Sequence, residues 1–297
     1  MPPSFKLATL TLAVNAALIT PVAAQAADED LPSVTLPTIT VTAETEIETA
    51  DGPVQGIAAS RVSSTTGFDE SILKSTQSVT VVGQQEMETI GTNDMEDALG
   101  YVSGITAWQP SDKASTSYVI RGFRNFQNYY QDGQRILANS FDGPFETYGL
   151  ERVEVIKGPN SLLNGAMPPG GTINNITKKP YFADGYEVNA EIGSFNRKQI
   201  SADINQKLTD DIAVRLVGVY KNSDSFVNYV PDDAIYIAPS LTWQPSDATQ
   251  LTLQADYHQI NTKYITFLPA VGTLDTQYGK IDRESFVGGP IVGKSRI

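Results

Sequence analysis

The chain has 297 residues, a formal net charge of −13, one histidine (His258) and no cysteine. Lack of cysteine excludes disulfides, thiolate metal sites and cysteine nucleophiles. One histidine, set in an alternating strand-like stretch, leaves no room for a His-rich metal centre and argues against enzymatic catalysis. The acidic balance argues against nucleic-acid binding, which needs Lys and Arg to displace counterions from phosphates.

In chain order, the first element is an export signal. Lys6 precedes an apolar run from Leu7 to Ile19, and Ala24-Gln25-Ala26 fits the small-x-small cleavage pattern, so residues 1–26 read as a signal peptide. The run is shorter than the roughly 20 residues of a spanning helix, and no other segment is long and apolar enough. A membrane reading therefore requires a β-barrel, because lipid offers no partner to backbone polar groups.

Residues 27–59 carry acids (Asp28, Glu29, Asp30, Glu44, Glu46, Glu48, Asp51) and prolines (Pro32, Pro37, Pro53), which predicts a flexible, extended linker. Inside it, Pro37-Thr38-Ile39-Thr40-Val41-Thr42 is rich in β-branched residues and alternates. It reads either as plain linker or as a docking strand for another protein's sheet edge.

Residues 60–181 predict one compact mixed α/β domain. Ser78 to Val82 is a strand, and Gln84 to Ile90 a helix closed by Gly91. A second helix is capped by Asn93 with Glu96 as its capping-box partner. Met95, Ala98, Leu99 and Val102 form that helix's apolar stripe, and Gly104 ends it. Strand pieces follow at Tyr118 to Arg121, Asn128 to Gln131 and Gln134 to Leu137, the last two joined by an Asp132-Gly133 tight turn. Glu151 to Lys157 alternates, with Val153 and Val155 on one face. A Gly/Pro-rich stretch then leads into Thr172 to Thr177.

Residues 186–297 change character. Alternating segments of about ten residues run at Glu187 to Phe195, Lys198 to Leu208, Ile212 to Lys221, Ala234 to Trp243 and Gln250 to Ile260, a pattern matching barrel strands. In the third, Ile212, Val214, Leu216 and Gly218 share one face and Arg215 the other, while Val217 and Val219 weaken the alternation. Aromatics (Phe195, Tyr220, Phe226, Tyr229, Trp243, Tyr257, Tyr264, Phe267) gather near strand ends. A soluble β-sandwich also alternates in this way.

The run Glu151-Arg152-Val153-Glu154-Val155-Ile156-Lys157-Gly158-Pro159, with Asn164-Gly165, Gly170-Gly171, Ile173-Asn174 and Thr177-Lys178, resembles the plug-domain signature of TonB-dependent outer-membrane receptors. Ile120-Arg121-Gly122-Phe123 and Asp132-Gly133 resemble the same family's paired plug motifs. Residues 97–105 resemble its helix before the first apical loop, and Pro37 to Thr42 resembles the TonB box. The run at 119–123 favours the siderophore receptor branch. The resemblance implies an α+β plug domain followed by the first strands of a transmembrane antiparallel β-barrel, incomplete in this chain. About five strands are legible, against the roughly 22 of such transporters, so the chain reads as a fragment or truncated product. The short spacer before the TonB box leaves no room for the extra signalling domain of transducers.

The implied activity is import of ferric siderophores, energised by a periplasmic TonB-type partner, with outer-membrane lipid around the barrel. No cofactor is implied, since iron travels only as ferric-siderophore cargo. Alternatives are another cargo (cobalamin, haem, an oligosaccharide) or a soluble periplasmic binding module. Ligand candidates on the implied apical loops are Trp108, Gln109, Lys113, Arg124, Asn125, Phe126, Gln127, Asn128, Tyr129, Phe141 and Tyr148. The two cations suit an anionic ferric chelate. Arg121 and Lys157 match the family's basic positions that pair with barrel glutamates and latch the plug. The second is commonly Arg, and Lys cannot offer a bidentate fork. Gly122, Gly158, Gly165, Gly170 and Gly171 are the structural glycines, suited to tight backbone turns.

Overall fold

A computed structural model describes residues 48–107, 113–114, 117–125, 129–136, 143–161, 165, 167–287 and, for the backbone, 293–296. The signal peptide and Pro37 to Thr42 lie outside the described residues.

The first ordered stretch is a strap, residues 48–71. It contains two short strands, β1 (Arg61–Val62) and β2 (Glu70–Ser71), which pair antiparallel. The strand β3 (Ser78–Gly83) then leads into helix α1 (Gln84–Ile90), whose C-cap Gly91 adopts the left-handed conformation at φ 73°. The next helix, α2 (Met95–Leu99), is capped one residue later than the sequence suggests: Asp94, not Asn93, accepts the N–H of Asp97. Asp97 rather than Glu96 is the return partner, accepting the N–H of Asn93 at 3.0 Å. Asp and Asn both cap well, so neighbouring candidates are hard to rank from sequence.

Strands β4 (Ile105–Ala107), β5 (Tyr118–Ile120) and β6 (Phe123–Asn125) form a three-stranded antiparallel sheet. Arg121, expected on a strand, instead occupies the two-residue turn between β5 and β6, with φ of 49° at Arg121 and 84° at Gly122. Strands β7 (Tyr129–Gln131) and β8 (Gln134–Arg135) are joined by the expected Asp132-Gly133 turn, at φ 49° and 77°. These positive angles are those of a hairpin turn whose twist matches its strands. Strands β9 (Leu150–Lys157) and β10 (Gly171–Thr177) complete a five-stranded sheet ordered β3-β9-β10-β7-β8.

Side chains alternate across this sheet. One face sends Val82, Val153, Val155 and Ile173 against Met87, Met95, Ala98 and Leu99 of the helices, forming the main core. The other face is not solvent. The strap covers Arg152 and Glu154 there, Glu151 meets Arg215 and Lys157 meets Ser103, so all eight residues of β9 are buried.

From Gly185 the chain runs as an antiparallel meander: β11 (Gly185–Ile192), β12 (Lys198–Lys207), β13 (Ile212–Asn222) and β14 (Asp233–Ser246). The expected single strand from Gln250 to Ile260 is two, β15 (Thr249–Gln254) and β16 (Tyr257–Thr262), both pairing with β14. Strand β17 (Gly293–Arg296) pairs with β16. Leu216, Tyr220, Ile235, Ile237, Trp243, Leu251 and Leu253 are exposed on the outer face. Val217 and Val219, which break the alternation in sequence, point inward and are buried with Tyr236 against Tyr148 of the preceding domain. Their apolarity answers Tyr148. The sheet's two ends differ: one carries the turns 208–211 and 247–248, and the other carries the turn 193–197 and the longer connection 223–232, with residues 263–287 also leaving from it.

Candidate functional site

The strap is held on the sheet by buried polar groups. Arg152, fully buried, donates through Nε to the Gly52 carbonyl at 2.9 Å and through Nη1 to the Arg61 carbonyl at 3.0 Å. It also reaches the Thr49 carbonyl, and its Nη1 pairs with Glu48 at 3.3 Å. Only a planar five-donor fork can serve so many acceptors at once. Glu154 accepts the backbone N–H of Ser64 at 3.3 Å and its hydroxyl. Burial raises the Glu154 carboxyl above its ordinary value, against the opposing pull of Ser64 and Arg152. Asn174 donates to Ser64 Oγ at 2.7 Å. Beside these contacts lies a cavity of about 590 Å³, lined by Ser64, Asp132, Asn174 and Lys179 together with Ile156 and Ile176 among others. Lys179 Nζ meets Asp51 at 3.1 Å, placing the strap's start beside the residues that lead into the barrel strands.

A second cluster joins the compact domain to the inner barrel face. Arg215 of β13 holds Asp203 of β12 with a two-pronged contact, Nε–Oδ1 2.8 Å and Nη2–Oδ2 2.7 Å. Its Nη1 donates to the Lys179 carbonyl at 2.9 Å and to Glu151 at 3.4 Å. Lys178 donates to Asp203 at 2.8 Å and sits 4.3 Å from the centre of the Tyr148 ring. Glu151, Lys178, Asp203 and Arg215 are each at most 8% exposed. Two anions and two cations balance, as buried charge requires. Around them Tyr148 donates to Glu187 at 3.2 Å, Gln254 to Thr177 at 2.7 Å, and Asn205 to the Tyr181 carbonyl at 2.8 Å.

The predicted site residues divide. Trp108, Gln109, Phe126, Gln127, Asn128 and Phe141 lie outside the described residues. Tyr129 is a correction: it is 2% exposed and packs edge-on to Tyr118 and against Phe145, so it is core rather than apical surface. Asn125 is buried as well. Tyr148 belongs to the barrel seam just described. Lys113 pairs with Asp94. Burial opposes ionisation of Asp94, but the Lys113 ammonium and the Asp97 N–H outweigh it and hold the carboxyl below its ordinary value. Arg124 is half-buried, 3.3 Å from Ser117 Oγ, and within electrostatic reach of Tyr129 and Tyr264.

The latch pairing expected of Arg121 and Lys157 is not made among the described residues. Lys157 donates to Ser103 Oγ at 3.1 Å, and burial together with the neighbouring Arg121 cation lowers its pKa. The ion pairs that do cross to the barrel involve Glu151 and Lys178, which the sequence reading did not single out. Alternation along Lys198 to Leu208 could have flagged Asp203 as an inward charge needing a partner.

Of the predicted structural glycines, Gly170 and Gly171 are the most constrained: an added β-carbon would fall 2.2 Å from the Ile120 carbonyl oxygen and 2.1 Å from that of Ile156. Gly122, Gly158 and Gly165 have positive φ of 84°, 108° and 65°. At the long-loop end, features missed from sequence are Arg283 over the Phe226 ring and Lys263 over Phe286, each 5.4 Å from the ring centre.

A plug seated against an antiparallel wall of long strands defines a class of receptor, and comparison with known proteins agrees. Residues 71–172 match the TonB-dependent receptor plug domain family. The chain is 32% identical to the ferrioxamine receptor of Yersinia enterocolitica over 87% of its own length and 37% of that protein's. It is 33% identical to the ferrichrome outer membrane transporter/phage receptor of Escherichia coli K12, over 80% and 33% respectively. The open form of the ferric-catecholate import receptor Fiu from E. coli K12 superposes with a TM-score of 0.68 at 26% identity, covering 82% of this chain and 36% of that one. The chain belongs to the TonB-dependent receptor family, carrying its plug and its first barrel strands, and spans about a third of the curated relatives' length.

Proposed function

We propose that this chain is part of an outer-membrane importer of ferric siderophores, exported by its signal peptide and energised by a TonB-type partner that pairs with residues 37–42. The observation that carries the reading is where the strap begins. Asp51 meets Lys179 at the short-turn end of the sheet, and outer-membrane barrels keep their short turns on the periplasmic side. The start of the strap thus faces the compartment where such a partner works. The long connections, with Phe226, Arg283, Lys263 and Phe286, then face outward and offer cationic and aromatic surface to an anionic chelate. The exposed aliphatic face of β11–β16 meets lipid. Iron enters only as chelated cargo, so the protein itself supplies no metal ligands and uses no cofactor.

The test is growth of a deletion strain on single ferric siderophores, complemented by the intact receptor or by one lacking residues 37–42. Uptake restored by the intact receptor alone is the expected result. Equal uptake by both removes the energised mechanism, and growth on no siderophore but on haem or cobalamin reassigns the cargo.

A further inference from the structure

We infer that the outer surface of strands β13, β14 and β16 carries a binding site for the sugar headgroup of an outer-leaflet glycolipid, centred on Asp233. The inference rests on the reading above that the aliphatic face meets lipid and the long connections face outward. It is carried by a polar pocket at the depth where a barrel wall meets headgroups.

The rows of outward side chains fix that depth. Asn222, at the end of β13, lies ten residues from Ile212 at its start. Ten residues rise about 33 Å along a strand. A tilt of about 40° reduces this to about 25 Å, the height of a barrel's apolar band. Ile212 pairs with Trp243 at the short-turn end. Between the two ends the exposed side chains include Leu216, Tyr220, Ile235 and Ile237. The row above them is polar. Asn222 and Asn261 flank Asp233, each donating to one of its carboxylate oxygens at 2.9 Å. The Ser223 N–H adds a third bond at 3.2 Å. Below, the Tyr257 hydroxyl donates to Gln259 Oε1 at 2.9 Å. An open pocket of about 220 Å³ lies here, lined by Tyr220, Asn222, Asp233, Ile235, Gln259 and Asn261 among others.

The chemistry of the pocket selects its ligand. Each Asn spends its amide nitrogen on Asp233, and among the described residues its amide oxygen receives no donor. The Gln259 amide nitrogen likewise finds no acceptor there. The pocket therefore offers two amide oxygens, an amide nitrogen and a carboxylate held in place by three donors. Beside them stands the Tyr220 ring, 57% exposed. Sugar hydroxyls both donate and accept, and the C–H face of a sugar ring packs on an aromatic face. A phosphate suits the pocket poorly, because the central group is itself an anion. Acyl chains attached to the sugar would run down the adjoining Ile235 and Ile237. A headgroup with chains thus buries apolar area that a free sugar does not.

The test uses the intact receptor in a detergent that contains no sugar, with native mass spectrometry following three probes. These are lipid A (an acylated diglucosamine), its deacylated diglucosamine, and phosphatidylglycerol. Wild type is expected to bind lipid A at least tenfold more tightly than either of the others. Gln259→Leu with Asn261→Leu should weaken lipid A binding at least tenfold and leave phosphatidylglycerol unchanged. Tyr220→Leu keeps the face apolar and the amide row intact, and should weaken lipid A binding at least threefold. Gln206→Leu, at an exposed position toward the short-turn end, should change nothing. Undiminished lipid A binding in the double variant or in Tyr220→Leu, or a matching loss in Gln206→Leu, overturns the proposal. So does phosphatidylglycerol bound as tightly as lipid A, or the deacylated sugar bound as tightly, which would make this a site for free saccharide.

Orientation is read separately. This chain has no native cysteine, so Lys280→Cys can be probed on whole cells with a membrane-impermeant maleimide, and labelling from outside is expected. No labelling overturns the outward reading and this inference together, whereas labelling without lipid A binding overturns the inference alone. Cargo enters neither measurement, so failure to import any ferric siderophore counts against the cargo reading and leaves the glycolipid site to be decided by binding.

Discussion

Strands β9 and β13 read similarly in sequence and are buried in opposite ways. Both mix valine with charge. In β9 every residue is inside, because helices cover one face and the strap and barrel wall cover the other. Its charges survive there by finding partners: Arg152 in strap carbonyls, Glu154 in Ser64, Glu151 in Arg215. In β13 the faces separate. Its single buried charge, Arg215, points inward to Asp203, and its outward residues Leu216, Gly218 and Tyr220 carry no charge. Burial between protein layers permits charge if it is paired, whereas the exposed outward positions of β13 carry none.

That contrast can be broken deliberately, and the largest effect is expected in β9. Arg152→Met leaves the strap carbonyls and Glu48 without their donor, costing about 3–5 kcal/mol by analogy with other split buried pairs. Urea unfolding of the chain in detergent, with limited proteolysis of 48–71, measures it; an unchanged midpoint would refute the strap's dependence on this guanidinium. On the lipid face, Ile237→Arg should cost about 2–4 kcal/mol near the membrane midplane, read from folding into bilayers, whereas in detergent the penalty should shrink. At the seam, Val217→Ala removes buried apolar volume and should cost about 2 kcal/mol, although a lipid-face reading of that valine predicts almost nothing.

The smallest effect is expected at Asp94. Its replacement by Ala removes a helix cap worth about 1 kcal/mol. Because the folded-state pKa of Asp94 lies below its ordinary value, its contribution is present at neutral pH. It is lost as pH falls from the unfolded value through the depressed one. The difference between wild type and Asp94→Ala should therefore narrow in acid, as measured by thermal melts across that range.

Much of this fold was legible in the sequence because the punctuation is local. Gly91 as a helix stop, Asp132-Gly133 as a turn, and the alternation of Lys198 to Leu208 each act over a few residues. What resisted reading was nonlocal. Arg152 meets carbonyls about a hundred residues earlier, and no pattern within β9 announces which face the strap covers. Tyr129 reads as loop surface until Tyr118 and Phe145 close over it. Val217 and Val219 look like noise until Tyr148 arrives. The site divided in the same way: Glu151 and Lys178 lie within the recognised motif, but their partners are chosen by the barrel's register.

Arg121 and Lys157 stand as neighbouring cations, one on a hairpin tip and one at a strand end, and among the described residues neither has a carboxylate partner. Like charges held side by side repel, and burial together with this repulsion lowers the pKa of Lys157. An acidic side chain brought to this spot would relieve two charges at once, so its arrival should be cooperative rather than incremental. Assembly of such a receptor would then have an electrostatic final step, in which the last acidic surface to close around the plug is drawn in by a field already waiting for it.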